Sequence, residues 1–245
     1  MLKKATLLLT FSFVLISCKK DAQFITPPKE IEKTKSKTEP NSITSVVQKD
    51  TSTIKKHETF NEVIDSVNEN LKSFIPKNYE VIALKKGDLN LDKFEDCILV
   101  LRKSTEETTS NYNDHKPDKR PLLILLGQEN GSFKLVCTND DAVYCIDCGG
   151  VFGDPFTGIA IKNGYFSIEH GISGGHHWEE IMTFKFNKTK NNWYLYKDHY
   201  INYKLNPSSD PKAEALIADV DKLKTVKDFG EVSFQNFNIY SEKGY

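Results

Sequence analysis

Four oxygen-bearing side chains recur at short intervals in Gly87-Asp88-Leu89-Asn90-Leu91-Asp92-Lys93-Phe94-Glu95-Asp96. Asp88, Asn90, Asp92 and Asp96 stand at relative positions 1, 3, 5 and 9. A tight loop with this spacing turns its oxygens toward one point, and Ca²⁺ takes about six to eight oxygen ligands at about 2.3–2.6 Å. The spacing therefore predicts a calcium loop of weak, roughly millimolar affinity. It is not an EF-hand, which needs glycine at position 6 and glutamate at position 12, where this chain has Lys93 and Leu99. The competing reading is a loop closed by its own Asp and Asn hydrogen bonds.

The second chemically dense stretch runs from Asn139 to Trp178. Cys145-Ile146-Asp147-Cys148 is a C-x-x-C pair. A thioredoxin-type redox pair needs its first cysteine at a helix N-terminus, and the glycines at 149, 150 and 153 argue against a helix there. Zinc on Cys145, Cys148, His176 and His177 is disfavoured, because a second C-x-x-C is missing and adjacent histidines diverge on a strand. His170, His176, His177 and Trp178 are candidate binding residues. A hydrolase using the Gly171–Glu179 loop with Asp154 is the alternative function. No G-x-S-x-G, HExxH or P-loop supports it, and His170 shares a strand face with Phe166 and Ile168. The late aromatics Trp178, Trp193, Tyr194, Tyr196, Tyr200 and Tyr203 would either fill a sheet core or, if exposed, stack on a glycan or a partner protein.

The elements that must position these groups are mostly strands. Phe60, Val63, Ile64, Val67, Leu71 and Phe74 recur at helical spacing, predicting a helix over 59–73 that Pro76 ends. Strands are predicted at 79–85 and 97–102, flanking the acidic loop, then at 121–126, 132–136, 158–162, 165–170, 180–186 and 193–203. Asn163-Gly164 between two of them is a hairpin turn signal. Asp210-Pro211 followed by Ala213, Leu216, Ile217, Val220 and Leu223 predicts a C-terminal helix. The expected fold class is α+β, an antiparallel meander with an N-terminal helix and a C-terminal helical segment, in a single domain over 58–245.

Composition sets the outer limits. Lys+Arg total 33 against 34 Asp+Glu, so the chain lacks the positive excess that nucleic-acid binding requires. A mean hydropathy of −0.47 excludes a polytopic membrane protein. Residues 1–17 have a basic start (Lys3, Lys4) and an apolar run from Ala5 to Ile16, the pattern of a signal peptide. Residues 18–57, rich in Lys, Glu, Ser, Thr and Pro, are expected to form a flexible tether, since they carry too little apolar surface to offset their ordering entropy.

Leu15-Ile16-Ser17-Cys18 resembles the lipobox of bacterial lipoproteins, which are cleaved before the cysteine and acylated on it. The resemblance implies a mature chain held by lipid at Cys18 in the cell envelope, at the outer membrane, with more than one acyl chain making the anchor stable. In that oxidising compartment Cys97, Cys137, Cys145 and Cys148 can form up to two disulfides, with Cys145–Cys148 the expected bond. The acidic segment resembles the calcium loop of FG-GAP and VCBS repeats, which joins two strands. Lys93 departs from the glycine common there. Gly87–Asp92, Cys145–Phe156, Gly171–Trp178 and Phe229–Phe234 together resemble a group of bacterial lipoproteins and secreted proteins that carry no assigned activity. The expectation is a non-catalytic binding or structural module stabilised by calcium.

Overall fold

The computed structural model describes residues 69–241 except 175 and 176. These residues belong to one compact unit, Ile54–Tyr245; the other unit, Met1–Thr53, lies outside the described residues. So do Cys18, the expected tether and most of the helix expected over 59–73. A final helical turn, α1 (Glu69–Lys72), is present and buries Leu71.

Two antiparallel sheets carry most of the described chain. The first is a meander of β1 (Tyr79–Gly87), β2 (Asp96–Lys103), β3 (Leu122–Gly127) and β4 (Phe133–Asn139). The second continues the pattern with β5 (Phe156–Lys162), β6 (Tyr165–Ile172), β7 (His177–Asn187), β8 (Asn192–Leu205) and β9 (Leu216–Thr225). Short helices α2 (Glu106–Thr109) and α3 (Val226–Phe229) interrupt loops. No helix among the described residues is long and apolar enough to cross a membrane.

The unbroken apolar run Cys97-Ile98-Leu99-Val100-Leu101 is explained by burial on both faces of β2. Ile98, Val100, Leu122 and Ile124 face the second sheet and pack with Phe166, Ile168, Met182 and Phe184. Cys97, Leu99, Leu101, Leu123 and Leu125 face the other way, against Leu71. Alternate residues of a strand reach opposite faces, so one run serves two cores. The second sheet alternates more simply, with Phe166, Ile168, His170 and Ile172 inward on β6.

Asn163 and Gly164 form the two-residue turn that joins β5 to β6, at φ 51° and 74°, with Lys162 opposite Tyr165. Left-handed backbone at both positions matches the twist of the strands it connects.

The expected C-terminal helix is not formed; its residues make strand β9 instead. Asp210 starts only a turn, accepting the Ala213 N–H on its carbonyl at 3.0 Å. β8, 14 residues long, presents an edge that must find partners, and β9 pairs along it from Lys197–Thr225 to Leu205–Leu216. Lys204–Asp219 at 2.6 Å and His199–Asp221 at 2.8 Å reinforce the ladder. The pairing leaves Leu223 56% exposed, so β9 is held by its ladder and ion pairs more than by burial of its apolar residues. Tertiary pairing thus overrode local periodicity.

Candidate functional site

The acidic segment forms the connection between β1 and β2, closed at its base by the Gly87–Asp96 pair. Asp88 accepts the Leu91 N–H on Oδ1 at 2.6 Å and the Lys93 N–H on Oδ2 at 3.2 Å. Asn90 Oδ1 accepts the Asp92 N–H at 3.1 Å, and Asp92 Oδ1 accepts the Phe94 N–H at 2.9 Å. Asp96 is fully buried. Its two oxygens accept the N–H groups of Leu89, at 2.7 Å, and Gly127, at 2.9 Å, pinning the loop to β3.

This network brings carboxylate oxygens of Asp88, Asp92 and Asp96 within 4.8 Å of one another. Burial, with the charges of Asp92 and Asp88 adding to it, raises the Asp96 carboxyl above its ordinary value against the two N–H donors. Three mutually repelling carboxylates around one point suit a divalent cation, and each oxygen that accepts one N–H keeps a lone pair. Asn90 stands beside them, its Nδ2 donating to Asp92 Oδ2 at 2.6 Å. The donor set is all oxygen and could hold a metal ion. Lys93 adopts φ 77° and Leu91 φ 65°, so the left-handed turn is made without glycine.

The loop is also held from the opposite sheet. Gly164 donates its N–H to the Asp88 carbonyl at 3.1 Å, and Trp193 Nε1 donates to the Leu89 carbonyl at 3.1 Å.

The C-x-x-C segment lies in the connection between β4 and β5. Cys145 and Cys148 are joined by a disulfide, which leaves no thiolate for zinc. His176 lies outside the described residues, and His177 sits 3.5 Å from Glu179 Oε1 with its ring against Tyr203. The zinc set is therefore not assembled. A 3-10 turn, Gly150–Phe152, follows the second cysteine in place of a redox-type helix.

Beneath this loop sits a buried charge cluster that the sequence did not reveal. Arg120, wholly buried, donates all five N–H groups: two to Glu106, two to Asp154 and one to the Tyr144 carbonyl. Burial raises the Glu106 carboxyl despite the arginine beside it. The local signal that Arg120 is interior is the apolar strand Leu122–Gly127 that begins two residues later.

Tyr144 carries the cluster to the second sheet. Its N–H donates to His170 Nε2 at 3.2 Å, and its hydroxyl to Glu180 Oε2 at 3.3 Å. His170 is buried and its pKa falls to about 3, through burial first and the Arg120 charge second. It therefore stays neutral with Nε2 as acceptor and the proton on Nδ1. Burial and the neighbouring Asp198 charge lift Glu180 to about 7. Trp178 faces the same cluster, 6.2 Å from the Tyr200 ring and 6.4 Å from Tyr144.

Gly171, Ile172, Ser173, His177, Trp178 and Glu179 line a cleft of about 380 Å³ together with Thr157 and Glu169. Asp154 is not brought into it: its carboxylate is held by Arg120. His170 has no basic nitrogen free, and no hydrogen bond joins Ser173 to His177 among the described residues. Among the described residues of the cleft, no nucleophile, base and orienter are aligned.

No protein-family model, curated protein or solved structure matches the chain.

Proposed function

We propose that the chain is a non-catalytic binding or structural module of the cell envelope, tethered by acyl groups on Cys18 and stabilised by calcium in the Asp88–Asp96 loop. The observation that carries the metal part is the convergence of Asp88, Asp92 and Asp96 oxygens within 4.8 Å, with Asn90 on the same turn. Repulsion among these carboxylates gives a cation net work to do, and fixation by backbone N–H groups keeps the loop preorganised for it. The anchoring part rests on the residues around Cys18 and supplies an oxidising compartment in which the Cys145–Cys148 bond persists.

Thermal unfolding of the purified domain with and without calcium tests the metal. Calcium at about ten times its Kd is expected to add about 1.4 kcal/mol of stability. Magnesium should give much less, because it dehydrates reluctantly and demands octahedral geometry. Asp92→Asn should remove the calcium response while leaving a folded protein. An unchanged melting curve at several millimolar calcium would defeat the proposal. Mass spectrometry of the envelope-extracted chain, reading acylation at Cys18, tests the anchor.

A further inference from the structure

The outer face of the second sheet holds a hollow of about 410 Å³ that is separate from the acidic loop and from the Glu179 cleft. Its floor is made of small side chains, Ala160, Ser167 and Thr183, on three neighbouring strands. Its walls are aromatic. Tyr165 and Tyr196 meet edge-to-face with ring centroids 5.5 Å apart, and Tyr196 is 44% exposed.

A β-bulge builds one wall. Thr183 pairs with Lys197 and Phe184 with Leu195, so Tyr196 is the extra residue on β8. A bulge sets two successive residues against one partner and re-aims their side chains. Tyr196 and Lys197 therefore both line the hollow instead of pointing to opposite faces.

The rim is basic. Lys185 places Nζ 5.4 Å from the Tyr165 ring centre and 5.5 Å from that of Tyr196. Lys162 at the end of β5 and Lys197 on β8 line the hollow, and Lys185 on β7 stands beside it over the two tyrosines. None of these three lysines forms an ion pair with a carboxylate among the described residues. In a chain of net charge −1 this is a local excess of positive charge over an aromatic surface.

We propose that the hollow binds one or two pyranose units of an acidic sugar, with a ring face on Tyr196 and the carboxylate on the lysines. The volume falls in the range of about 300–1,000 Å³ found for ligand sites. Exposed tyrosine supplies a flat apolar face with a polar tip, and the Ser167 and Thr183 hydroxyls supply partners for ring hydroxyls. The lysines select for negative charge: Lys162 and Lys197 on the lining, and Lys185, held over the tyrosine rings by its hydrogen bond to Tyr165, raise the local positive potential. The inference deepens the reading of the chain as a binding module by naming a ligand class. It does not depend on metal in the loop.

The full chain is titrated with digalacturonate and with lactose, by calorimetry and by amide chemical shifts. Digalacturonate is expected to bind at least about tenfold more tightly than lactose, and more weakly as salt rises. Lys185→Gln should weaken binding about fivefold and Tyr196→Ala about tenfold, with circular dichroism unchanged. Equal affinity for the two sugars, or affinity indifferent to both substitutions, overturns the proposal. So does competition by inorganic phosphate at equal concentration, which would reveal a site for any small anion. Calcium-dependent melting is read on the same sample. Absent sugar binding with the calcium response intact sinks the hollow alone; the reverse result sinks the loop alone.

Discussion

Glu106 and Arg120 form a two-pronged ion pair with almost no exposure to solvent, Nε to Oε1 at 2.6 Å and Nη2 to Oε2 at 3.0 Å. Asp154 takes the opposite edge of the same guanidinium. Removing the cation alone would strand Glu106 as a buried charge, a loss of about 3–5 kcal/mol. Arg120→Ala is therefore expected to lower the urea midpoint severely. Arg120→Lys should rescue little, since an ammonium cannot match two forks at once. A midpoint within experimental error of the parent chain for Arg120→Lys would contradict this account.

Lys93 holds a left-handed backbone at φ 77°, a conformation that costs a non-glycine residue about 1 kcal/mol or more. Lys93→Gly should raise stability by roughly 0.5–1 kcal/mol and tighten calcium binding, read in parallel melts and titrations. The reverse holds at Gly127, where an added Cβ would sit 2.3 Å from the Glu95 carbonyl. Gly127→Ala is expected to break the Asp96 anchor and to destabilise by more than any surface change.

The Cys145–Cys148 disulfide closes a loop with a sequence separation of 3. So short a loop removes little chain entropy, and chain-entropy scaling gives about 2 kcal/mol. Reduction should lower the melting temperature by several degrees and leave a folded protein. Cys97 and Cys137 should stay unreactive toward iodoacetamide until unfolding. Both are buried, and burial pushes their thiols up to about 12 and about 11.

Buried His170 and half-buried Glu180 set opposed pH limbs. Glu180 rises from 4.5 to about 7 through burial, so the folded state holds its proton more tightly than the unfolded chain does. Its contribution is complete below pH 4.5 and is lost as pH climbs through about 7, on the order of 1–3 kcal/mol. His170 falls from 6.5 to about 3, so its contribution is complete above pH 6.5 and drains away as pH drops toward 3. Glu180→Gln should flatten the alkaline decline, and His170→Asn the acid one. A stability profile unchanged in slope between pH 5 and 8 for Glu180→Gln would refute the first assignment.

The strands and the acidic loop were legible because their signals are local. Alternation, Asn163-Gly164 and the Asp/Asn spacing all report on contacts a few residues apart. β9 was misread because Leu216, Ile217, Val220 and Leu223 fit helical spacing, while the free edge of β8 that decided the matter is not encoded in that segment. The Glu106–Arg120–Asp154 cluster joins residues up to 48 positions apart, with Arg120 and Asp154 separated by 34. No window of sequence contains it. Tyr196 belongs to the late run of aromatics, whereas Tyr165 lies on a different strand, and only the bulge turns Tyr196 and Lys197 to one side.

Gly164 and Trp193 grip the carbonyls of Asp88 and Leu89 from across the sandwich. The loop is thus a seam stitched into both layers, and prising them apart at that end must tear both stitches together. Neither sheet can fray there on its own. Amides on β2 and β6 should consequently exchange with solvent at a common rate, set by the opening of the whole body.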